Sequence, residues 1–250
     1  MLERLRPERQ WQWAAYGKHP AAKDYFTLGQ GFPLLVSFSG WIENGYQVLV
    51  SKEKPSGARC SWRFWTREAR RDNVVCGIIC ESTDGLARPY PLLIIGTGPL
   101  KDWSAQWDLV PLACDAAWTH MENVSTRTFG DLRELEEEVR SLRVPVGDWL
   151  ELARKRERFR EPESFGATMA ALAEGTEYFF PMAQIPLRER TEAVSLYHSL
   201  MRSRVETAPN ATFMGGSTEK PYMAFFRRPL SQSDFIRLWS MAFTKKDPTS

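Results

Sequence analysis

Val74-Val75-Cys76-Gly77-Ile78-Ile79-Cys80 is followed, after a polar connection, by Pro91-Leu92-Leu93-Ile94-Ile95. Neither run alternates apolar with polar residues. A strand with one wet face alternates; a strand apolar on both faces is buried on both, as at the centre of a layered sheet. The two runs therefore predict helices on both sides of a sheet, an α/β chain.

Upstream, Gln10 to Tyr16 alternates aromatic and polar residues and predicts a first strand, broken by Gly17-Lys18-His19-Pro20. Leu34, Leu35, Phe38, Trp41, Ile42, Gly45, Tyr46 and Leu49 then fall on one face of a helix, with Pro33 tolerated in its first turn and Lys54-Pro55-Ser56-Gly57 ending it. Ser61 to Thr66 predicts another strand. Downstream, Trp103 to Met121 has helical spacing but contains Pro111, which predicts a kink or a split. Asp131 is placed to cap a helix whose stripe is Leu132, Leu135, Val139 and Leu142. Glu163 to Ala173 and Leu187 to Val205 predict further helices. Thr212 to Met214 and Tyr222 to Arg227 predict two late strands joined through Gly215-Gly216-Ser217, and Ser231-Gln232-Ser233-Asp234 predicts the capped start of a last helix with Phe235, Leu238, Trp239 and Ala242 inward.

The chain has 250 residues, 43% hydrophobic and 26% charged, close to globular averages. Disorder and a continuous coiled coil are excluded for the whole chain. A formal charge of +2 gives no global field toward nucleic acid. The basic stretch from Arg154 to Arg160 is flanked by Glu151, Glu161 and Glu163 and predicts a solvated helix end or loop. No apolar run reaches the roughly 18–20 residues needed to cross a bilayer, so the chain is expected not to span a membrane. The first nine residues are charged and lack an apolar signal region, so a cytoplasmic location with reduced Cys60, Cys76, Cys80 and Cys114 is expected. The late strands are placed to complete the early sheet, so one domain over residues 1–250 is expected: a motif-bearing region at 13–100, a largely helical one at 101–210, and closing strands and helix at 211–243.

Catalytic signatures are weak. Cys76 and Cys80 share a face of one strand but lie about 13 Å apart, too far to share a metal, and His19, His120 and His198 are scattered. Gly96-Thr97-Gly98 is followed by Pro99, which removes a phosphate-binding amide. Ser82 lacks the Gly-x-Ser-x-Gly elbow. No metal or cofactor is expected. The connection between the two apolar runs, Glu81-Ser82-Thr83-Asp84-Gly85-Leu86-Ala87-Arg88-Pro89-Tyr90, is the most unusual stretch. It sets Asp84 and Arg88 four apart. A partly buried Arg must be paired, and Asp84, Asp24 and Glu81 are its candidate partners. An ion pair that fixes the fold is favoured over a polar patch at the sheet end, where α/β proteins dock ligands or partners. If the patch binds, its residues are Asp24, Arg63, Ser82, Asp84 and Arg88.

The order Gly17-Lys18-His19-Pro20, an aromatic helix with Phe38 and Trp41, Ser61-Trp62-Arg63-Phe64, then Gly77-Ile78-Ile79, Ser82-Thr83-Asp84 and Arg88-Pro89-Tyr90-Pro91-Leu92 resembles the TagF (ImpM) accessory proteins of bacterial type VI secretion. The resemblance covers Trp13 to about Leu92, with a weaker echo from Phe213 to Leu238. Lys23-Asp24-Tyr25 stands where the family has Gly-Asp-Phe, Ala87 where it has Gly, and Thr212-Phe213 where it has Trp-Trp. The resemblance implies a three-layer α/β/α sandwich with a central mixed sheet. It also implies a cytoplasmic, non-enzymatic regulator that represses secretion post-translationally by binding type VI secretion proteins, in several systems a forkhead-associated scaffold. The alternatives are a small-molecule-binding or hydrolytic protein using the sheet-end polar cluster, and a structural component of the apparatus. Ten tryptophans suit a binding surface, although core packing accounts for most of them more simply.

Overall fold

The computed structural model describes residues 10–29, 31–52, 60–70, 72–157, 175–182, 190–205 and 207–243. The helix expected from Glu163 to Ala173 and the helix stop at Lys54-Pro55-Ser56-Gly57 lie outside the described residues.

Among the described residues, eight strands form one sheet. They are β1 (Gln12–Gly17), β2 (Phe26–Gly29), β3 (Cys60–Arg67), β4 (Asn73–Thr83), β5 (Pro89–Pro99), β6 (Glu177–Pro181), β7 (Ala211–Ser217) and β8 (Pro221–Phe226), in spatial order β2-β1-β5-β4-β3-β7-β8-β6. Every pairing is antiparallel. The expectation of a mixed sheet is thereby corrected. Two-sided burial does not require parallel strands, only apolar cover on both faces.

That cover comes from helices, six among the described residues: α1 (Pro33–Lys52), α2 (Val110–Thr126), α3 (Leu132–Arg140), α4 (Trp149–Glu157), α5 (Arg190–Arg204), on which α4 packs, and α6 (Gln232–Phe243). Successive residues of a strand point to opposite sides, and the core divides accordingly. Cys76, Ile78, Leu92 and Ile94 join a cluster with Ala117, Trp118 and Met121 of α2, Leu135 of α3 and Val194 of α5. Val75, Ile79, Leu93 and Ile95 join a second cluster with Phe38 and Ile42 of α1 and Phe235, Leu238 and Trp239 of α6. Of the ten tryptophans, Trp13, Trp62, Trp65, Trp103, Trp107, Trp118 and Trp239 are buried, so packing does account for most of them.

The edge strands β2 and β6 are not anticipated from sequence. They have only 4 and 5 residues, too few to display a period. Short edges are also what keeps a sheet from pairing with other chains. Pro111 does not kink a helix. It sits in the first turn of α2, after a 3-10 turn at Trp107–Leu109, where its missing N–H has no helical partner to lose. Gly215 and Gly216 are not a turn. They lie within β7, and a side chain at Gly215 (φ +147°) would meet the Ser61 carbonyl oxygen at 2.1 Å. The Asp131 cap forms as expected; of the Ser231–Asp234 box only the acid's half forms, since the Asp234 amide donates to the Ser231 backbone carbonyl and not to its hydroxyl. Asp131 accepts from the amides of Arg133 and Glu134, and Asp234 accepts from the amide and hydroxyl of Ser231. Arg156, in the basic stretch, is not free in solvent: it pairs with buried Asp108.

Candidate functional site

β1 ends at Gly17, whose φ of +122° and close approach to the Pro91 carbonyl oxygen exclude a side chain. The chain then turns back as Lys18-His19-Pro20, and the β4–β5 hairpin tip folds over it. The two loops are stitched by backbone, with the Gly85 amide donating to the Ala22 carbonyl at 2.8 Å.

Asp84 is the centre of this clasp and is 1% exposed. Its Oδ1 accepts from the amides of Leu86 (2.9 Å) and Arg88 (3.0 Å). Its Oδ2 accepts from Arg88 Nε at 2.7 Å and Lys18 Nζ at 3.0 Å. Burial by itself would raise the Asp84 pKa. The Arg88 amide, the Lys18 and Arg88 cations and the Leu86 amide outweigh it and hold the carboxyl well below the usual carboxylate range. Arg88 continues outward to the Lys23 carbonyl at 2.8 Å and to Asp24 at 3.6 Å, with about half of its side chain in solvent. Asp24, Asp84 and Arg88 are therefore together. Glu81, weighed as another partner for Arg88, lies in the wall of a groove that Tyr46, Tyr90 and Ser82 also line.

Lys18 is the member the sequence did not single out, although it stood in a quoted motif. A lysine directly after a strand-ending glycine is ordinarily exposed, and only the fold of the β4–β5 tip buries it. Ala87, where the resemblance has Gly, adopts φ +58°. The left-handed backbone at the tip explains why glycine suits that position.

Arg63 belongs to a different cluster. From the middle of β3 it makes a two-pronged contact with Glu122 of α2, 2.7 Å on each arm, and reaches Asp115 at 3.1 Å. Its guanidinium also lies 5.9 Å from the Trp118 ring centroid. Burial lowers the Arg63 pKa, but Glu122 and Asp115 more than offset it. Thr191 of α5 donates to the same Asp115 oxygen at 3.0 Å, so this network ties two helices to the sheet. Asp115 and Glu122, seven apart, occupy one face of α2 two turns apart, a spacing visible in the sequence.

Ser82 joins neither cluster. It lines a groove of 640 Å³ across the sheet end, with Glu81, Thr83, Tyr90, Glu122 and Ser125 among its walls. Burial pushes the Glu81 carboxyl up to about 7, against a backbone hydrogen bond with Cys60 that lowers it. Among the described residues no group of three or more His, Cys, Asp or Glu is arranged to hold a metal ion. No described helix is long and apolar enough to cross a membrane.

The chain is thus an antiparallel α/β protein with two buried or half-buried ionic ties, one between loops and one between helices and sheet. The family described as TagF N-terminal domain, type VI secretion system-associated, matches residues 14–143. The chain belongs to this family. A solved protein, PA0076 from Pseudomonas aeruginosa PAO1, shares its fold with a TM-score of 0.52 at 15% identity, over 95% of this chain and 98% of that one. No curated protein matches the chain significantly.

Proposed function

We propose that the chain is a non-catalytic, cytoplasmic repressor of type VI secretion that acts by holding a scaffold component, of the forkhead-associated kind, out of the assembling machine. Its supporting observation is the match of residues 14–143 to a type VI secretion-associated family. Such a repressor works through differential affinity, binding the unassembled partner more tightly than the assembled one.

The outer edge of the clasp is the proposed contact. Asp24 is exposed and Arg88 about half exposed, and they stand beside Tyr25 (55% exposed) and Leu86 (68% exposed). An aromatic and an aliphatic side chain ringed by an acid and a base have the composition of a binding hot spot. Asp84 and Lys18 hold that edge from beneath. Arg63 and Ser82 extend the proposed surface along the sheet end, where no histidine among the described residues lines the groove beside Ser82. We further propose that residues 1–250 act as one three-layer α/β/α unit, because β3, inside the matched region, pairs with β7, outside it.

The test is affinity purification of the tagged chain from a host with an active secretion system, with effector secretion measured on deletion and on overproduction. Recovery of a scaffold component, lost in Leu86→Asp and Asp24→Lys, is expected, together with reduced secretion on overproduction. Recovery of no secretion component, with secretion unchanged in both directions, would sink the proposal. A second reading, small-molecule binding, is favoured by one observation: Ser82, Thr83 and a Glu81 titrating near neutrality share the 640 Å³ groove.

A further inference from the structure

Four of the seven tyrosines meet in one place. Tyr16 comes from β1, Tyr25 from the loop before β2, Tyr46 from α1 and Tyr90 from β5. Tyr90, buried at the centre, stands nearly perpendicular to each of the others: 79° to Tyr16, 83° to Tyr25 and 71° to Tyr46, with centroids 6.2, 4.7 and 5.0 Å away. Packed edge-to-face around this hub, the four rings make a box-like cluster. The box opens into a pocket of 460 Å³ whose remaining wall is α1, including Glu43. Glu43, Tyr46, Gln47 and Val50 follow the i, i+3, i+4, i+7 spacing that puts them on one stripe of the helix.

The chemistry of this box is specific. Ring faces are negative, and tyrosine rings beside a carboxylate offer a poor site for an anion but a good one for an alkylammonium cation. No cation among the described residues pairs with Glu43. On the far side of the Tyr46–Tyr90 wall lies Glu81, a second carboxylate. Of the described cations nearby, Arg88 is tied to Asp84 and Asp24, and Lys18 rests 4.6 Å from the Tyr25 ring centroid, so that ring accepts an ammonium. Lys18 does not line the pocket, and its charge is committed to Asp84.

We propose that the Tyr16–Tyr25–Tyr46–Tyr90 box with Glu43 binds an alkylammonium group, either a lysine side chain of a protein partner or a quaternary ammonium. The inference shares Tyr25 with the proposed contact edge but is argued from the box alone, and its binding assay involves no secretion component.

Ligand-observed NMR titration of the full chain tests it, with choline, its uncharged carbon isostere neohexanol, and the Nα-acetyl methylamides of lysine and of trimethyllysine as probes. Choline is expected to bind saturably and neohexanol at least about ten-fold more weakly. Tyr25 and Glu43 are exposed, so their variants should fold. Tyr25→Leu should weaken choline binding about five- to ten-fold, Tyr25→Phe should keep it because the ring and not the hydroxyl is needed, and Glu43→Gln should weaken it several-fold. The tighter of the two lysine derivatives identifies the source, plain lysine for a partner side chain and the trimethylated form for a quaternary ligand. Saturable binding by none of the cations, equal binding of neohexanol, or indifference to both Tyr25→Leu and Glu43→Gln would overturn the proposal.

Discussion

Asp84 and Arg88 look from the sequence like equal halves of one ion pair, and the structure makes them unequal. Asp84 is buried and serves four donors, whereas Arg88 gives one arm to it and half its surface to water. Asp84→Asn is therefore expected to lower the thermal midpoint clearly, because buried Lys18 loses its counter-charge. Arg88→Ala is expected to lower it much less, because Lys18 and two amides still satisfy Asp84. Equal midpoints for the two variants would contradict this hierarchy. Because the Asp84 pKa is depressed on folding, its contribution is present above the unfolded value of about 4 and is lost as pH falls toward the folded one. Glu81 carries the opposite sign. Its pKa rises on folding from 4.5 to about 7, so the folded chain binds the extra proton between those values and loses that stability as pH climbs through the window. Glu81→Gln should stabilise relative to the parent at pH 8 and change little at pH 4.5, measured by thermal unfolding at both.

At the scale of elements, the apolar runs that decide the fold leave little room for change. On β4, a side chain at Gly77 would meet the Ile94 carbonyl oxygen at 2.5 Å and the Phe64 ring at 2.6 Å. Backbone of a paired strand cannot retreat, so Gly77→Val should cost about 1–3 kcal/mol by overpacking, read from the urea midpoint. The hairpin tip is under the opposite stress. Ala87 holds a left-handed backbone and is exposed, so Ala87→Gly relieves strain and loses no packing. Set against the extra unfolded freedom of glycine, a net gain of roughly 0.5–1 kcal/mol is expected in the same assay. A loss there would mean that the methyl group is doing something the geometry does not reveal.

At the scale of the molecule, the family match ends at residue 143 but the sheet does not. β3 pairs along its length with β7, from Cys60 opposite Ser217 to Thr66 opposite Ala211. A fragment ending at residue 143 would bare β3, eight residues long and mostly buried, as an open edge. It should aggregate or unfold without a cooperative transition in circular dichroism, whereas the full chain unfolds cooperatively. A fragment that melts like the full chain would separate the matched region as an independent domain.

Local pattern carried far in this protein. The apolar runs of β4 and β5, the stripe of α1, the caps at Asp131 and Asp234 and the pairing of Asp84 with Arg88 all depend on neighbours within a few residues or on burial that a period reveals. Three matters needed the folded chain. Strand direction is set by how connections return, which two-sided burial leaves open, so the sheet is antiparallel where a mixed one was expected. Lys18 meets Asp84, and Arg63 meets Glu122, across 66 and 59 residues, and no short-range signal encodes a partner at that distance. The tyrosine box draws its walls from four separate segments, each bearing a single unremarkable tyrosine, and only their convergence gives the group its chemistry.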